Sequence, residues 1–328
     1  MTAQPGLKLV NRDADGVDLA FRADVLDGLA ERQKAVPARW FYDDAGSALF
    51  EDITRLPEYY PTRAETEILR AHSANIADLI GPGRAVVEFG SGSSVKTPLL
   101  LSAIQPSAYV PLDIAGDFLR ESSAALAGKF PGLAVYPVEA DFMRRVELPA
   151  EIADLPKLGF FPGSTIGNMI ARTATDLLRS MRETLGEGAL LLIGMDLVKD
   201  EGTLLAAYDD AAGVTARFNL NLLTRINREL GGDIPVEAFA HEARWNDTFA
   251  RIEMHLVACR EITFTVSEQT FTMRKGESIH TENSHKFTKR SGQMLLAAGG
   301  WEPRARWTDA DKQFSLVLAE SRPPRSAP

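Results

Sequence analysis

The sequence predicts an α/β protein: a parallel sheet covered by helices on both faces, interrupted by a second, α+β unit. Three observations predict it. Between residues 85 and 198, short apolar runs of strand length alternate with stretches of helical periodicity. After Val198 the rhythm stops, and the runs "RIEMHLVACR" and "EITFTV" alternate as antiparallel strands do. The chain then closes with helix-like "SGQMLLAAGG" and strand-like "QFSLVLAE", which return to the first unit.

Taken in order, the segment up to about residue 60 reads as irregular and rich in aromatics, around "WFYDDAGSALFEDI". In "YYPTRAETEIL", Thr62 followed by Glu65, with Pro61 before it, predicts a capping box and a helix start. "AVVEF" is a buried strand running into "GSGSS", and "VKTPLLLSAI" has helical spacing. "AYVPLDI" reads as a strand, "DFLRESSAALAGKF" as a helix, and "LAVYPVEADF" and "LGFFPGSTIGN" as strands. "ATDLLRSMRETL" is a helix and "ALLLIGMDLV" a strand. Residues 199 to 230 read as helical, ended by Gly231 and Gly232. The expected domains are 61–198 plus 286–322 for the parallel sheet and 10–60 plus 199–285 for the second unit, with a disordered tail at 323–328.

At 328 residues, 45% hydrophobic and 25% charged, the chain can bury two ordinary cores. A net charge of −9 argues against the concentrated positive field that nucleic acid or an anionic membrane requires. Cys259 is the only cysteine, so no intramolecular disulfide forms, and a reducing compartment is expected. The N-terminus lacks the apolar core of a signal peptide, and the longest apolar run is too short to span a bilayer. The expectation is a cytoplasmic monomer. The five histidines show no paired ligand spacing, so no metal is expected.

Ligands of such sheets sit beyond the C-terminal strand ends. Three polar signals fall there. Gly90 and Gly92 in "EFGSGSS" permit a tight turn and close backbone approach. Asp113 ends "VPLD" and suits the two hydroxyls of a ribose. Asp141 ends "EAD" and suits a base amino group. Together they predict adenosine binding. Val95 stands where a Walker loop needs glycine before Lys-Thr, and where the dinucleotide fingerprint wants its third glycine. An NTP is therefore a poor fit and NAD is disfavoured. S-adenosylmethionine, which needs no pyrophosphate cradle, suits the pattern best. Late in the chain, "IHTENSHKF" packs a carboxylate, an amide, a hydroxyl and two imidazoles together. By composition alone it reads as a solvated turn, with one wall of a pocket as the alternative.

The runs "ARWFYDDAGSALFEDITRLPEYYPTR", "EFGSGSSVKT", "GSTIGN", "DLVKD", "AYDDAAGVTARFN" and "TENSHKF" together resemble the histidine Nα-methyltransferases of ergothioneine biosynthesis, over residues 20 to 320. The resemblance implies a Rossmann-like class I S-adenosylmethionine-dependent methyltransferase domain beside a substrate-binding domain. It implies transfer of three methyl groups to the α-amine of L-histidine, giving hercynine. Gly90, Lys96, Asp113, Asp141 and Phe142 would hold the cofactor. Tyr59 would contact the imidazole, Asn168 and Tyr208 the carboxylate, and Gly163 and Thr165 lie in the same motif as Asn168. Met254 would line the pocket, and Glu282 and Ser284 would hold the ring. Asn283 and His285 depart from the expected pattern, and His285 has no assigned role.

The chemistry needs a neutral amine, because an ammonium has no lone pair. Tyr42 or a water chain is the expected proton acceptor, and a nearby sulfonium would favour the neutral amine. The alternatives are a methyltransferase for another amino acid, an NAD-dependent oxidoreductase, and a binding module without chemistry.

Overall fold

The structure is a computed structural model that describes residues 16–92, 96–114 and 116–322. The predicted disordered tail at 323–328 lies outside the described residues. In chain order, α1 (Leu19–Ala30), the short β1 (Lys34–Ala35) and α2 (Asp44–Ile53) come first. Then follow α3 (Tyr60–Ala71), α4 (Ser73–Ile80), β2 (Ala85–Phe89), α5 (Thr97–Ile104), β3 (Ala108–Asp113) and α6 (Gly116–Lys129). The short β4 (Ala134–Val135) and β5 (Val138–Glu139) precede β6 (Lys157–Phe161), α7 (Ala171–Leu185) and β7 (Leu190–Asp196). Next are α8 (Glu201–Tyr208), α9 (Val214–Leu230), β8 (Phe239–Asn246), β9 (Arg251–Ala258), β10 (Ile262–Val266), β11 (Gln269–Met273) and β12 (Ser278–His285). The chain ends with α10 (Lys289–Ala298), β13 (Trp301–Thr308) and β14 (Phe314–Ser321).

Contacts divide the chain into two compact units: 1–60 with 199–285 (unit 1), and 61–198 with 286–328 (unit 2). Unit 2 holds an eight-stranded sheet in the order β13-β14-β7-β6-β2-β3-β4, with β5 also paired to β3. From β7 to β4 the pairs are parallel, and β13, β14 and β7 are antiparallel. All five residues of β2 and all seven of β7 are buried, as both-face helix cover requires. The chain runs outward from β2 to β3 and β4, then returns to β6 on its other side, so β2 marks the topological switch point. This is the predicted Rossmann-like sheet, with an antiparallel edge.

Unit 1 holds a four-stranded sheet in the order β1-β12-β9-β8 and a β10–β11 hairpin. Its core joins Phe21, Val25 and Leu29 of α1 to Phe218, Leu222 and Ile226 of α9 and to Met254 and Leu256 of β9. Asp43 starts α2 by accepting from Gly46 N at 2.8 Å, and also accepts from Asn221 and Arg228 of α9. Gly231 ends α9 in the left-handed conformation.

Several expectations are corrected. The N-terminal segment is not irregular: α1 and α2 occupy it, α1 capped by Asp18. The expected capping box at Thr62 does not form, since α3 starts at Tyr60 and Glu65 turns inward. The helical run 199–230 is two helices, because Asp210 accepts from Val214 N and Thr215 N and begins α9 afresh. The strand expected over "LGFFPGSTIGN" ends at Phe161, and Thr165–Asn168 form a single 3-10 turn.

Candidate active site

At the switch point of unit 2, Gly90 and Gly92 adopt φ of +73° and +39°, a region that penalises a β-carbon. A Cβ built on Gly90 would touch the Phe142 ring at 3.5 Å. Phe142 itself stands edge-on to Phe89 and Phe161. The loop is tied to β3: Gly90 N and Ser91 N donate to Leu112 O, and Gly92 N donates to Asp113 Oδ2 at 3.3 Å. Among the described residues, the buried Ser91 Oγ has no hydrogen-bond partner. Open backbone, an apolar ring, a strand-end carboxylate and an orphaned hydroxyl are groups of the kinds that suit an adenosine with an amino-acid tail. Asp141 accepts from Met143 N at 3.0 Å and is half-buried.

Lys96, expected at the cofactor, donates to Glu65 Oε2 at 2.6 Å, and Gly163 N donates to the same oxygen at 2.8 Å. Glu65 thus links the glycine-loop helix to the end of β6. It was missed because its spacing from Thr62 matched a capping box. The available signal was its place on the apolar face with Ile68 and Leu69, both buried. Gly163 (φ +78°) begins the turn that carries Thr165 and the half-buried Asn168, with Thr165 Oγ1 donating to Pro162 O. Beneath the loop, Glu88 is fully buried and accepts from Thr97 and Tyr109 hydroxyls. Burial pushes its carboxyl up to about 7 against these bonds.

Unit 1 brings Tyr42, Tyr59, Tyr208, Met254, Glu282 and Ser284 together. The hydroxyls of Tyr208 and Ser284 lie 2.7 Å apart, and the Tyr59 and Tyr208 rings meet edge-on at 6.3 Å. Met254 stands opposite Glu282 across the β9–β12 ladder and is buried. Tyr42 packs edge-on to Phe50 and Phe218, and 44% of its surface is exposed. Crowding around its hydroxyl end, and then the charge of Glu282, hold its pKa well above the usual phenol value. Tyr59 and Tyr208 act in the same direction. So "TENSHKF" is not a turn. Its first five residues finish strand β12, where Ser284 meets the Tyr208 hydroxyl and the Glu282 charge acts on Tyr42.

The other face of this sheet carries Glu253, His255 and His280, whose ligating atoms lie within 4.8 Å of one another. Glu253 is already held by Arg251 and Asn246, and the two imidazoles stack at 16° rather than converge. A cation there would compete with the Arg251 guanidinium, so the cluster reads as a hydrogen-bonded support. Among the described residues, no helix is long and apolar enough to cross a membrane.

The parallel sheet with its switch-point glycine loop defines a Rossmann-like class I methyltransferase, and S-adenosylmethionine is its methyl donor. A family profile described as "Histidine-specific methyltransferase, SAM-dependent" matches residues 21–321. The chain is 41% identical over 316 residues to the histidine N-alpha-methyltransferase of Mycolicibacterium smegmatis, covering 93% of this chain and 96% of that one. It is 41% identical over 315 residues to the enzyme of the same name from Mycobacterium tuberculosis, with the same coverage. It is 29% identical over 301 residues to ergothioneine biosynthesis protein 1 of Neurospora crassa, covering 88% of this chain and 33% of that protein. The chain therefore belongs to the S-adenosylmethionine-dependent, histidine-specific methyltransferase family.

Proposed function

We propose that the protein trimethylates the α-amine of L-histidine to hercynine, the entry reaction of ergothioneine biosynthesis. One observation carries the choice of histidine: Glu282 and Ser284 put a carboxylate and a hydroxyl, the groups a ring N–H and a ring nitrogen require, on one strand among Tyr59, Tyr208 and Met254. A half-buried carboxylate facing a phenyl ring would lose the ring N–H it is proposed to bind, and sites built to hydrogen-bond a substrate reject analogues lacking that group by roughly 10⁴–10⁵. The family and the two bacterial relatives support the same substrate.

Bound S-adenosylmethionine supplies a methyl group on a cationic sulfur, already activated for in-line displacement. In unit 2, Asp113 is proposed to accept the ribose hydroxyls, Asp141 the base amino group, and Phe142 and the Gly90–Gly92 backbone the faces of the adenosine. Lys96, neutralised by Glu65, is proposed to hold the loop rather than to supply free charge. In unit 1, Glu282 and Ser284 hold the imidazole while Tyr59 and Met254 offer apolar walls to the methylated amine through cation–π and dispersion contact. Tyr42 keeps its proton, so it serves as a hydrogen-bond donor or relay, not as the final proton acceptor.

The test is incubation with L-histidine and methyl-labelled S-adenosylmethionine, followed by mass analysis of the product. Three added methyls on the α-nitrogen support the reading. Methylation at a ring nitrogen, or of tryptophan in preference to histidine, overturns it.

A further inference from the structure

The motif "AYDDAAGVTARFN" ends on a residue that the reading above leaves without a role. Asn219 lies in α9 and is 0% exposed. Its Nδ2 is 3.1 Å from the His255 carbonyl oxygen and 2.8 Å from His241 Nδ1. Its Oδ1 is 2.8 Å from Thr281 Oγ1, which also reaches the Met254 carbonyl at 3.1 Å. At the far side of His241, Nε2 lies 2.8 Å from the Tyr208 carbonyl oxygen.

Carbonyls at the two ends fix the amide and imidazole protons between them, while the single Thr281 hydroxyl proton is shared between Asn219 Oδ1 and the Met254 carbonyl. A carbonyl oxygen only accepts, so Asn219 must turn its NH₂ toward His255. The second NH₂ proton then points at His241 Nδ1, which must be the bare nitrogen. The His241 proton therefore sits on Nε2 and is donated to the Tyr208 carbonyl. Asp209 Oδ1, 3.9 Å from Nε2, favours the same tautomer. Oδ1 of Asn219 is left to accept from Thr281. Burial lowers the His241 pKa, in keeping with a neutral ring.

The ends of this chain of bonds adjoin the residues proposed to hold the ring. The β9–β12 ladder slips by one residue between His280 and Glu282, so Thr281 and Glu282 both face Met254. Thr281 is the extra residue of that bulge, and Glu282 follows it directly. The other end holds the backbone of Tyr208, whose hydroxyl meets Ser284.

We propose that Asn219 is a positioning residue: through Thr281 it locks the bulge that aims Glu282, and through His241 it fixes Tyr208 against Ser284. This rests on the reading of unit 1 as the histidine-holding part. The network touches no substrate. It sets the distance between the carboxylate and the paired hydroxyls.

Thr281→Val removes the hydroxyl at constant shape, and Thr281→Ser restores it. The valine variant is expected to raise the histidine KM about tenfold, the size of one buried hydrogen bond, with kcat within about threefold. Its S-adenosylmethionine Kd should stay within about twofold, and the serine variant should recover most of the loss. A valine variant that melts earlier but keeps its histidine KM, or that loses both ligands equally, overturns the proposal. Should that variant not fold, ¹⁵N spectra of the wild-type protein decide, with His241 assigned by the signal missing in His241→Gln. A single neutral Nε2–H tautomer from about pH 6 to 8 is expected, and mixed tautomers titrating like a solvated histidine overturn the network. A wild-type protein that leaves histidine unmethylated sinks the functional reading. An active wild type with an indifferent valine variant sinks only this proposal.

Discussion

Lys286 Nζ donates to Asp196 Oδ2 at 2.8 Å, and the two side chains are 0% and 1% exposed. Asp196 closes β7 just before the chain leaves unit 2, and Lys286 is where it re-enters. The backbone laces the same spot: Phe287 N donates to Asp196 O at 2.8 Å, and Val198 N donates to Phe287 O at 3.1 Å. Removing one partner takes away the ion pair of a buried charge, which costs up to about 3–5 kcal/mol, whereas removing both is far milder. Asp196→Asn should lower the denaturant midpoint of unit 2 strongly, and Asp196→Asn with Lys286→Met should recover a large part. A single variant as stable as the parent would show that the pair contributes nothing.

Glu282→Ala should raise the histidine KM by about 10- to 100-fold, the range for a hydrogen bond to a charged group, with S-adenosylmethionine affinity nearly kept. Calorimetric titration of each ligand separately checks this. Equal loss of both affinities would give Glu282 a structural role instead.

Tyr208→Phe and Ser284→Ala each delete one hydroxyl of a single bond, so their effects on histidine kcat/KM should not add. The double variant is expected to fall short of the sum by about 0.5–3 kcal/mol, measured as a double-mutant cycle. Strict additivity would mean that the two hydroxyls act independently.

Tyr42 keeps its proton in the neutral range, so Tyr42→Phe should lower kcat without moving the pH–rate profile. Loss of the acidic limb of that profile in the variant would instead identify Tyr42 as the proton acceptor.

Burial raises Glu88 from 4.5 to about 7 in the folded protein. A raised carboxyl favours the protonated folded state, so its contribution is present below about pH 4.5 and lost as pH climbs through about 7. The loss is on the order of 3 kcal/mol. Stability measured between about pH 5 and 8 should decline, and Glu88→Gln should flatten that decline. An unchanged slope in the variant would assign the effect to another group.

The parallel sheet was legible because β2, β3 and β7 are short, mostly apolar runs alternating with helices, a pattern that two-face burial explains. The glycine loop was legible because strand, turn and helix follow each other closely. Glu65 was not, since a carboxylate three residues after a threonine has the same spelling in a capping box and in a buried ion pair. Nor could composition separate turn from strand at Glu282 and Ser284. The strand exists because β9 pairs with it from about 30 residues upstream, and its bulge depends on Asn219, which local periodicity cannot register.

The added residue at Thr281 decides which edits the protein can absorb. Positions 282, 283 and 284 lie beyond the slip, where the ladder to β9 resumes and exchanges of side chain leave the pairing intact. A laboratory lineage selected to accept a different aromatic amino acid has room to vary there. A single codon lost at 281 would keep the strand paired while cutting the only tether between that strand and Asn219 recorded among the described residues, and a new specificity would have to be rebuilt from an unanchored start.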